Sequence, residues 1–298
     1  MRKTYKWVNS VNHLIMISVS LISAYEFCPR KLFLEQVLKL TAIPREAIVK
    51  GSVRHEVCEK ANKAEEAFVK GIKKELPFND ILEQYKKLHS NILSQSIVRN
   101  KSKFTELKIP LTDFFKEAWP LMLQESQQKA SNLHNFMRQN KALGEELWRQ
   151  LSPKVQSEYY VESDELMMKG KVDWLEIYEN KFVREVVPYE LKTGSAPKVG
   201  VWPGHKLQTG AYVMLLEKNR MFVREAFVKY LDINEARPVV MNPFIEKNVL
   251  ETRDSIIQLF KSNEIPGFCD SDSKCASCAL KEQCTNEKFI KEKLSLLS

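Results

Sequence analysis

Two carboxylates and a lysine have the types and spacing of a hydrolytic site. Glu190 and Lys192 are separated by one residue in an apolar run, and Asp173 belongs to the strand-like segment before it. Side chains two positions apart share one face of a strand, so Glu190 and Lys192 point the same way while Leu191 points into the core. On neighbouring strands, Asp173 and Glu190 can converge on a divalent cation, and Lys192 can help position the attacking water. The combination suits phosphodiester hydrolysis, although a bare Glu-x-Lys pair is more often a solvated strand face.

A histidine and a helical Gln/Tyr pair are further candidates. His55 follows Gly51 by one helical turn, so a small residue beside it would allow close approach. Gln208 and Tyr212 have i,i+4 spacing on the helix that follows the Glu-x-Lys strand, and could turn a polar face towards DNA or the attacking water. A lone helical His is more often a surface or core residue, and the pair could equally be a helix surface pair.

The cysteines predict a metal or cluster site near the end of the chain. Three thiols are clustered there, at Cys275, Cys278 and Cys284. Cys269 would complete a local four-cysteine site, as in a zinc ribbon, whereas Cys28 would bring a distant ligand. Four thiolates accept either zinc or an iron–sulfur cluster, so spacing alone leaves the group open.

The pattern of apolar residues predicts a mixed α/β protein with four segments. We expect an extended segment at 17–20 with Ser23 as N-cap, a helix over about 24–40, and another from Gly51. Strands are predicted at 158–161, 170–177, 182–191, 223–231 and 238–241, with helices at 203–218 and 244–261. The expected segments are an N-terminal part of the core (1–60), a helical insertion (61–155), the catalytic core (156–262) and a cysteine-bearing tail (263–298).

We consider two hypotheses for the helical insertion: it covers the channel through which DNA passes, or it is a docking surface for a protein. Its Lys and Arg content and its aromatic residues favour single-stranded DNA, while the alternative is that the aromatics simply form its core. These aromatics are Phe104, Phe114, Phe115, Trp119, Phe136 and Trp148.

Composition limits the class of protein. The chain has 298 residues, of which 44% are hydrophobic, and carries a formal net charge of +8. This excludes disordered and collagen-like classes and favours a polyanionic partner. The apolar stretch near the N-terminus is interrupted and too short to span a bilayer. With thiols suited to a reducing compartment, we expect a cytoplasmic protein without a membrane partner.

The motifs together resemble the PD-(D/E)xK nuclease superfamily, and more closely its RecB-like branch with an iron–sulfur cluster. Those motifs are Cys28-Pro29-Arg30, Gly51-x3-His55, Gly170-x2-Asp173, Glu190-Leu191-Lys192, Gln208-x3-Tyr212 and the terminal cysteines. Within that branch the chain resembles CRISPR-associated RecB-family exonucleases. The resemblance implies a restriction-endonuclease-like core with a mixed central sheet flanked by helices. It also implies 5′ to 3′ cleavage of single-stranded DNA that processes prespacers beside the integrase complex.

The resemblance also implies roles for individual residues. The metal ligands for Mg²⁺ or Mn²⁺ would be His55, Asp173, Glu190 and the backbone carbonyl of Leu191. Lys192 would be the catalytic lysine, with Gln208 and Tyr212 supporting the site. The ligands of a [4Fe–4S] cluster would be Cys28, Cys275, Cys278 and Cys284. A repair exonuclease of the exonuclease V type shares these motifs, and a non-catalytic DNA-binding subunit is a further alternative. A homo-oligomer is a further possible assembly of this protein.

Overall fold

A mixed sheet lies between two groups of helices. The computed structural model describes residues 15–42, 45–179, 184–262 and 264–296. In this part of the chain the strands are β1 Ile17–Ser18, β2 Lys154–Ser163, β3 Met168–Glu179, β4 Arg184–Lys192, β5 Phe222–Val223, β6 Phe227–Tyr230 and β7 Glu235–Pro238. The helices are α1 Val19–Phe27, α2 Pro29–Gln36, α3 Glu46–Lys70, α4 Phe78–Arg99, α5 Lys101–Glu106, α6 Leu111–Asn140, α7 Gly144–Gln150, α8 Pro203–Lys218, α9 Pro243–Ser262, α10 Asp272–Ala276, α11 Lys281–Thr285 and α12 Glu287–Leu294.

Strands β3 and β4 form the centre of the sheet. They pair antiparallel, with Trp174 opposite Tyr189. β2 is antiparallel to β3, and β1 is parallel to its first residues. On the other side of β4 lie β5 and β6, both parallel to it, and β7 is antiparallel to β6. The predicted mixed sheet is therefore confirmed, and the strands that carry Asp173 and Glu190 are neighbours.

Apolar side chains fill both faces of the sheet. One face packs against α1, α8 and α9 through residues such as Ile22, Leu215 and Val249, all essentially fully buried. The other face packs against α3 and α6, where Cys58 and Leu121 meet residues of β3 and β4. Because side chains of β4 alternate between these two cores, the strand is buried on both faces, as its nearly continuous apolar sequence predicts.

The beginning of the described chain differs from the prediction in two places. The extended segment ends at Ser18, and α1 starts at Val19, so Ser23 lies inside a helix and is not its N-cap. Val19 and Ile22 are both fully buried, and their i,i+3 spacing places them on one helical face. The predicted helix over 24–40 is two helices. They break at Cys28, which is extended because Pro29 disfavours helical geometry in the residue before it.

The helical region forms its own apolar cores with α3. This helix begins at Glu46, earlier than predicted, and continues to Lys70, so it crosses the expected boundary between residues 60 and 61. The division into four segments stays a proposal. Residues 1–14 and 43–44 of the first segment, 180–183 of the third, and 263 and 297–298 of the last lie outside the described residues, so the first two residues of the strand predicted at 182–191 are not described.

The aromatic residues of the insertion belong to these cores, which favours the second of the two interpretations, that they form the core of the insertion. Phe104 and Phe114 are fully buried. The others are partly buried against the same apolar clusters, namely Phe115, Trp119, Phe136 and Trp148. Their spacing matches a helical core because α4 and α6 pack along their length, and packing there uses the same residue types as base stacking.

None of the helices in the described ranges is both long and apolar enough to cross a membrane.

Candidate active site and cysteine pocket

A notch in the sheet opens beside the middle of β3. β2 pairs along one side of β3 over most of its length, so β1 and β4 share the other side. There, β1 pairs only with Met168 and Lys169, while β4 pairs from Trp174 onward. Among the described strands, residues 170–173 thus have no partner on that side. The notch forms part of an open cleft of about 720 Å³ that Asp173 lines.

Asp173 lies where the alternation of β3 changes phase. Val172 and Leu175 both pack in the main core. Trp174, between them, packs against the opposite face, so strict alternation fails next to Asp173. The Oδ2 atom of Asp173 accepts a hydrogen bond of 2.8 Å from the backbone N–H of Leu191 on β4. A side chain thus takes the place of a ladder hydrogen bond, which fixes the carboxylate at the mouth of the notch.

Glu190, Lys192 and Gln208 form a closed set of contacts on the floor of the cleft. Lys192 Nζ lies 2.9 Å from Glu190 Oε1. Gln208 on α8 donates from Nε2 to the same oxygen at 2.8 Å and accepts from Lys192 Nζ at 2.9 Å. Glu190 and Gln208 are each 4% exposed. The prediction that Glu190 and Lys192 point to the same side of the strand is confirmed. Gln208 forms a hydrogen bond with each of them.

The second oxygen of Glu190 has no partner. Oε2 is buried and makes no hydrogen bond with any described residue. Burial, followed by the negative charge of Asp173, raises the pKa of Glu190 to about 7, against the opposing effect of Lys192. A buried carboxylate oxygen without a partner is costly, so a cation at this point would remove an unfavourable feature of the fold.

His55 reaches the same site from α3. Its Nδ1 lies 3.7 Å from Asp173 Oδ1. Burial alone would lower the pKa of His55, but the nearby Asp173 carboxylate, with the charge of Glu190, raises it overall. The close approach of α3 depends on Gly51, since a Cβ there would collide with Oγ1 of Thr193, the residue that follows β4. The sequence predicted that Gly51 would allow a close approach beside His55, and the group that approaches is Thr193 at the end of β4.

Tyr212 packs behind the set formed by Glu190, Lys192 and Gln208. It lies one turn after Gln208 on α8, is 4% exposed and borders the cleft. A Cβ on Gly170 would approach its ring to 2.8 Å, so the glycine of β3 makes room for the tyrosine. Burial raises the pKa of Tyr212 strongly, which keeps the phenol protonated.

Five cysteines line a second pocket, where the tail meets α1 and α2. They are Cys28, Cys269, Cys275, Cys278 and Cys284. All are free thiols. Burial raises the pKa of Cys28, a hydrogen bond from the backbone of Lys31 opposes this, and the neighbouring Cys269 thiol raises it further. Both candidates for a fourth ligand are therefore present in the same pocket. The sixth cysteine, Cys58, is buried elsewhere in an apolar cluster.

Arginines join the tail to the N-terminal helices around this pocket. Arg30, only 7% exposed, donates from Nε to Cys284 Sγ at 3.2 Å and from NH1 to the Pro266 carbonyl at 2.7 Å. Its guanidinium lies 4.0 Å from the centre of the Phe268 ring. Arg45 binds the carbonyls of residues 277 and 278 at 2.8 and 3.0 Å. The two ends of the described chain are thus held together by charged hydrogen bonds.

Comparison with known proteins identifies the family. Residues 16–285 match the model of the PD-(D/E)XK nuclease superfamily. The chain belongs to this superfamily. Its mixed sheet flanked by helices is consistent with the restriction-endonuclease-like fold of PD-(D/E)XK nucleases, which are typically metal-dependent hydrolases of nucleic acids. In this chain, two carboxylates and a lysine lie on adjacent strands of that fold.

Other comparisons add little to this. A search of curated proteins finds no match. One solved structure, titled "Crystal structure of SSO0001", is 14% identical, with a TM-score of 0.31, and the alignment covers 79% of this chain and 97% of that chain.

The side chains of the cleft and of the cysteine pocket can be compared with the ligands that a divalent cation or an iron–sulfur cluster requires. Within the described ranges, no three His, Cys, Asp or Glu side chains are placed so that they could already hold a metal ion together. The chemistry of the donors fits a divalent cation, since Asp173 Oδ1 and Glu190 Oε2 are each left without a short hydrogen bond. The thiols fit a soft metal or an iron–sulfur cluster equally well in chemical type.

Sequence reasoning missed contacts that hold the site in place. Arg54, next to His55 and 7% exposed, binds Asp232 after β6 and reaches Glu117 on α6 at 2.6 Å. Asp232 in turn accepts from the backbone N–H of Gly194. These contacts link α3, the end of β4 and the insertion. The sequence gives one indication of these contacts, which is the position of Arg54 directly before His55. The residues that Arg54 binds lie far away along the chain.

Proposed function

We propose that this protein is a metal-dependent exonuclease of single-stranded DNA, which cleaves from the 5′ end. Membership of the nuclease superfamily supports hydrolysis of nucleic acid. The observation that carries the proposal to these residues is the partnerless, buried Oε2 of Glu190 beside Asp173 and Lys192 in an open cleft. The contacts with Lys192 and Gln208 use only Oε1, so Oε2 is left for a cation, which would supply the partner that it lacks.

Each residue has a distinct role in this proposal. A bound Mg²⁺ or Mn²⁺ would neutralise charge on the scissile phosphate and activate water. Asp173, Glu190, His55 and the carbonyl of Leu191 would hold it. Lys192 carries a positive charge at the same oxygen cluster and would orient the attacking water or the phosphate. Gln208 keeps Lys192 and Glu190 in place, and Tyr212 closes the site from behind.

The same proposal includes a [4Fe–4S] cluster in the cysteine pocket and a role in prespacer processing beside the CRISPR integrase. Support comes from the resemblance of the ordered motifs and from five free thiols around one pocket that joins both ends of the chain. Free thiols also favour a reducing compartment, so we infer a cytoplasmic protein. A cluster there would have a structural role, because its ligands come from α2's N-terminus and from the tail.

A cleavage assay with end-labelled DNA tests the proposal. Purified protein is incubated with single-stranded DNA labelled at the 5′ or the 3′ end, with Mg²⁺, Mn²⁺ or EDTA. We expect metal-dependent cleavage that releases mononucleotides or short products from the 5′ end. Lack of cleavage with both metals, combined with tight DNA binding, would contradict catalysis and support the non-catalytic DNA-binding subunit.

A further inference from the structure

An exposed aromatic side chain lies between the two sites. Phe27 is the last residue of α1, directly before Cys28, and 36% of it is exposed. It lines the cleft that contains Asp173 and Glu190, and it also lines the cysteine pocket. The ring therefore stands at the junction where the catalytic cleft meets the tail.

Phe27 contributes to none of the apolar clusters formed by the described residues. Its neighbours on α1 behave differently, since Ile22 is fully buried and Tyr25 packs against the main core. The ring thus lies outside the apolar cores, and the 36% of Phe27 that is exposed is accessible to a ligand.

Two lysines flank the ring. Lys31 Nζ lies 5.7 Å from the ring centre and Lys274 Nζ lies 5.6 Å from it. Lys274 is held there by a hydrogen bond of 3.2 Å to the carbonyl of Glu26. One lysine comes from α2 and the other from α10, so the tail contributes to this surface. Both ammonium groups lie over the ring, so a base that stacks on Phe27 would meet these cations beside it. An exposed aromatic ring combined with cations is the pair of features by which proteins bind single-stranded nucleic acid, with bases stacked on the ring and phosphates near the charges.

We propose that Phe27 is a stacking platform for one base of single-stranded DNA, with Lys31 and Lys274 contacting the adjacent phosphates. This inference rests on the proposed function in that the ligand is single-stranded DNA. The base would stack at the edge of the catalytic cleft, so the platform would set where the strand lies relative to Asp173 and Glu190. Any base can stack, so the subsite would be tolerant of sequence.

Binding measurements without cleavage test the platform. Anisotropy of a fluorescein-labelled 20-mer of thymidylate is measured with the full chain carrying Asp173→Ala, in EDTA. In this background we compare Phe27→Leu, Phe27→Trp, and Phe222→Leu as a matched control. Phe222 is also an exposed phenylalanine, 60% exposed, but lies outside both the cleft and the cysteine pocket.

We expect Phe27→Leu to weaken binding about 5- to 100-fold, which is the range for loss of one stacked base. Phe27→Trp and Phe222→Leu should bind within about twofold of the parent. A series of oligonucleotides, each with a single abasic nucleotide at a different position, is then compared. The parent protein should bind one of them more weakly than the intact strand, whereas Phe27→Leu should bind that oligonucleotide and the intact strand equally well. Lys274→Gln should instead reduce the slope of log K against log salt by about 0.7.

Two outcomes overturn the platform and are distinguishable. If the parent binds the oligonucleotide tightly but Phe27→Leu binds equally well, only this inference is wrong and the proposed function stands. If the parent does not bind single-stranded DNA, the platform and the proposed substrate fail together.

Discussion

Gln208 donates a hydrogen bond of 2.8 Å from Nε2 to Oε1 of Glu190, and both side chains are almost completely buried. The other end of the same amide accepts from Lys192. Because an amide has one donor end and one acceptor end, these two contacts fix its orientation. α8 thereby holds the carboxylate and the lysine of β4 in one arrangement, which makes Gln208 a positioning residue.

Gln208→Leu should lower kcat of DNA cleavage about 10- to 100-fold, with a small effect on KM and on the far-ultraviolet circular dichroism spectrum. The reason is that a hydrogen bond to a charged group contributes about 1.5–3 kcal/mol, and here it orients two catalytic groups. Steady-state kinetics with labelled DNA measures the change.

Thr209→Val is the control for that substitution. Thr209 is the next residue of α8, is fully buried, and its hydroxyl has no hydrogen-bond partner in the described part of the chain. Valine has nearly the same shape, so activity and stability should be unchanged or slightly improved. An equal loss of activity in both variants would show that α8 repacks, and would contradict the specific role of Gln208.

Gly51→Ala should lower the free energy of unfolding by about 1–3 kcal/mol, since the new Cβ would collide with Thr193 Oγ1. Adding Thr193→Ala should restore stability, because the next contact, with Thr193 Cβ, is 3.5 Å. The double variant should even equal or exceed the parent, as alanine favours helix over glycine. Urea unfolding of the parent, both single variants and the double variant measures the coupling; additive effects would contradict the collision.

The proposed [4Fe–4S] cluster predicts which thiols of the cysteine pocket hold iron. Anaerobically purified protein should be brown and contain about four irons. Cys28→Ser should remove the iron, whereas Cys58→Ala, a buried cysteine outside the pocket, should retain it. Iron and zinc analysis with an absorption spectrum measures this. One zinc that depends on Cys269 and not on Cys28 would contradict the iron–sulfur proposal and leave the nuclease site unaffected.

Arg54→Met should destabilise the fold by about 1–3 kcal/mol, because it leaves Asp232 and Glu117 without their shared arginine in a partly buried place. Lys63→Met is the matched control. Lys63 forms a mostly exposed ion pair with Glu59 on the same helix, so its loss should change the free energy of unfolding by less than about 0.5 kcal/mol. Equal changes in the free energy of unfolding for the two variants, measured with urea, would contradict a stabilising role of the Arg54 contacts.

Local sequence signals predict the elements that carry the site. The helix over residues 203–218 coincides with α8, because Pro203 is compatible with a first helical turn and Asn219 ends it. The strands around Asp173 and Glu190 are also found where alternation and apolar runs indicated them. These features depend on neighbours in the sequence, so a single chain reveals them.

Contacts between residues that are far apart in the sequence could not be predicted from such local signals. The aromatics of the insertion looked suited to nucleic acid because a core and a stacking surface use the same residues, and only the packing of Phe104 against Phe114 decides between them. Gly51 lies close to Thr193, and Cys269 lies in the same pocket as Cys28. The two residues of each pair are more than 100 positions apart in the sequence, so local patterns do not reveal these contacts. Phe27, in turn, has no periodic signal that separates it from a core residue.

Cleavage by single-site variants tests the central claim most directly. Asp173→Ala and Lys192→Ala are assayed on labelled single-stranded DNA with Mn²⁺, beside Lys198→Ala, an exposed lysine that follows β4. The two site variants should lose cleavage at least 100-fold while keeping the unfolding midpoint and DNA binding, and Lys198→Ala should cleave like the parent. Full activity of either site variant would contradict the assignment of Asp173, Glu190 and Lys192 as the catalytic centre.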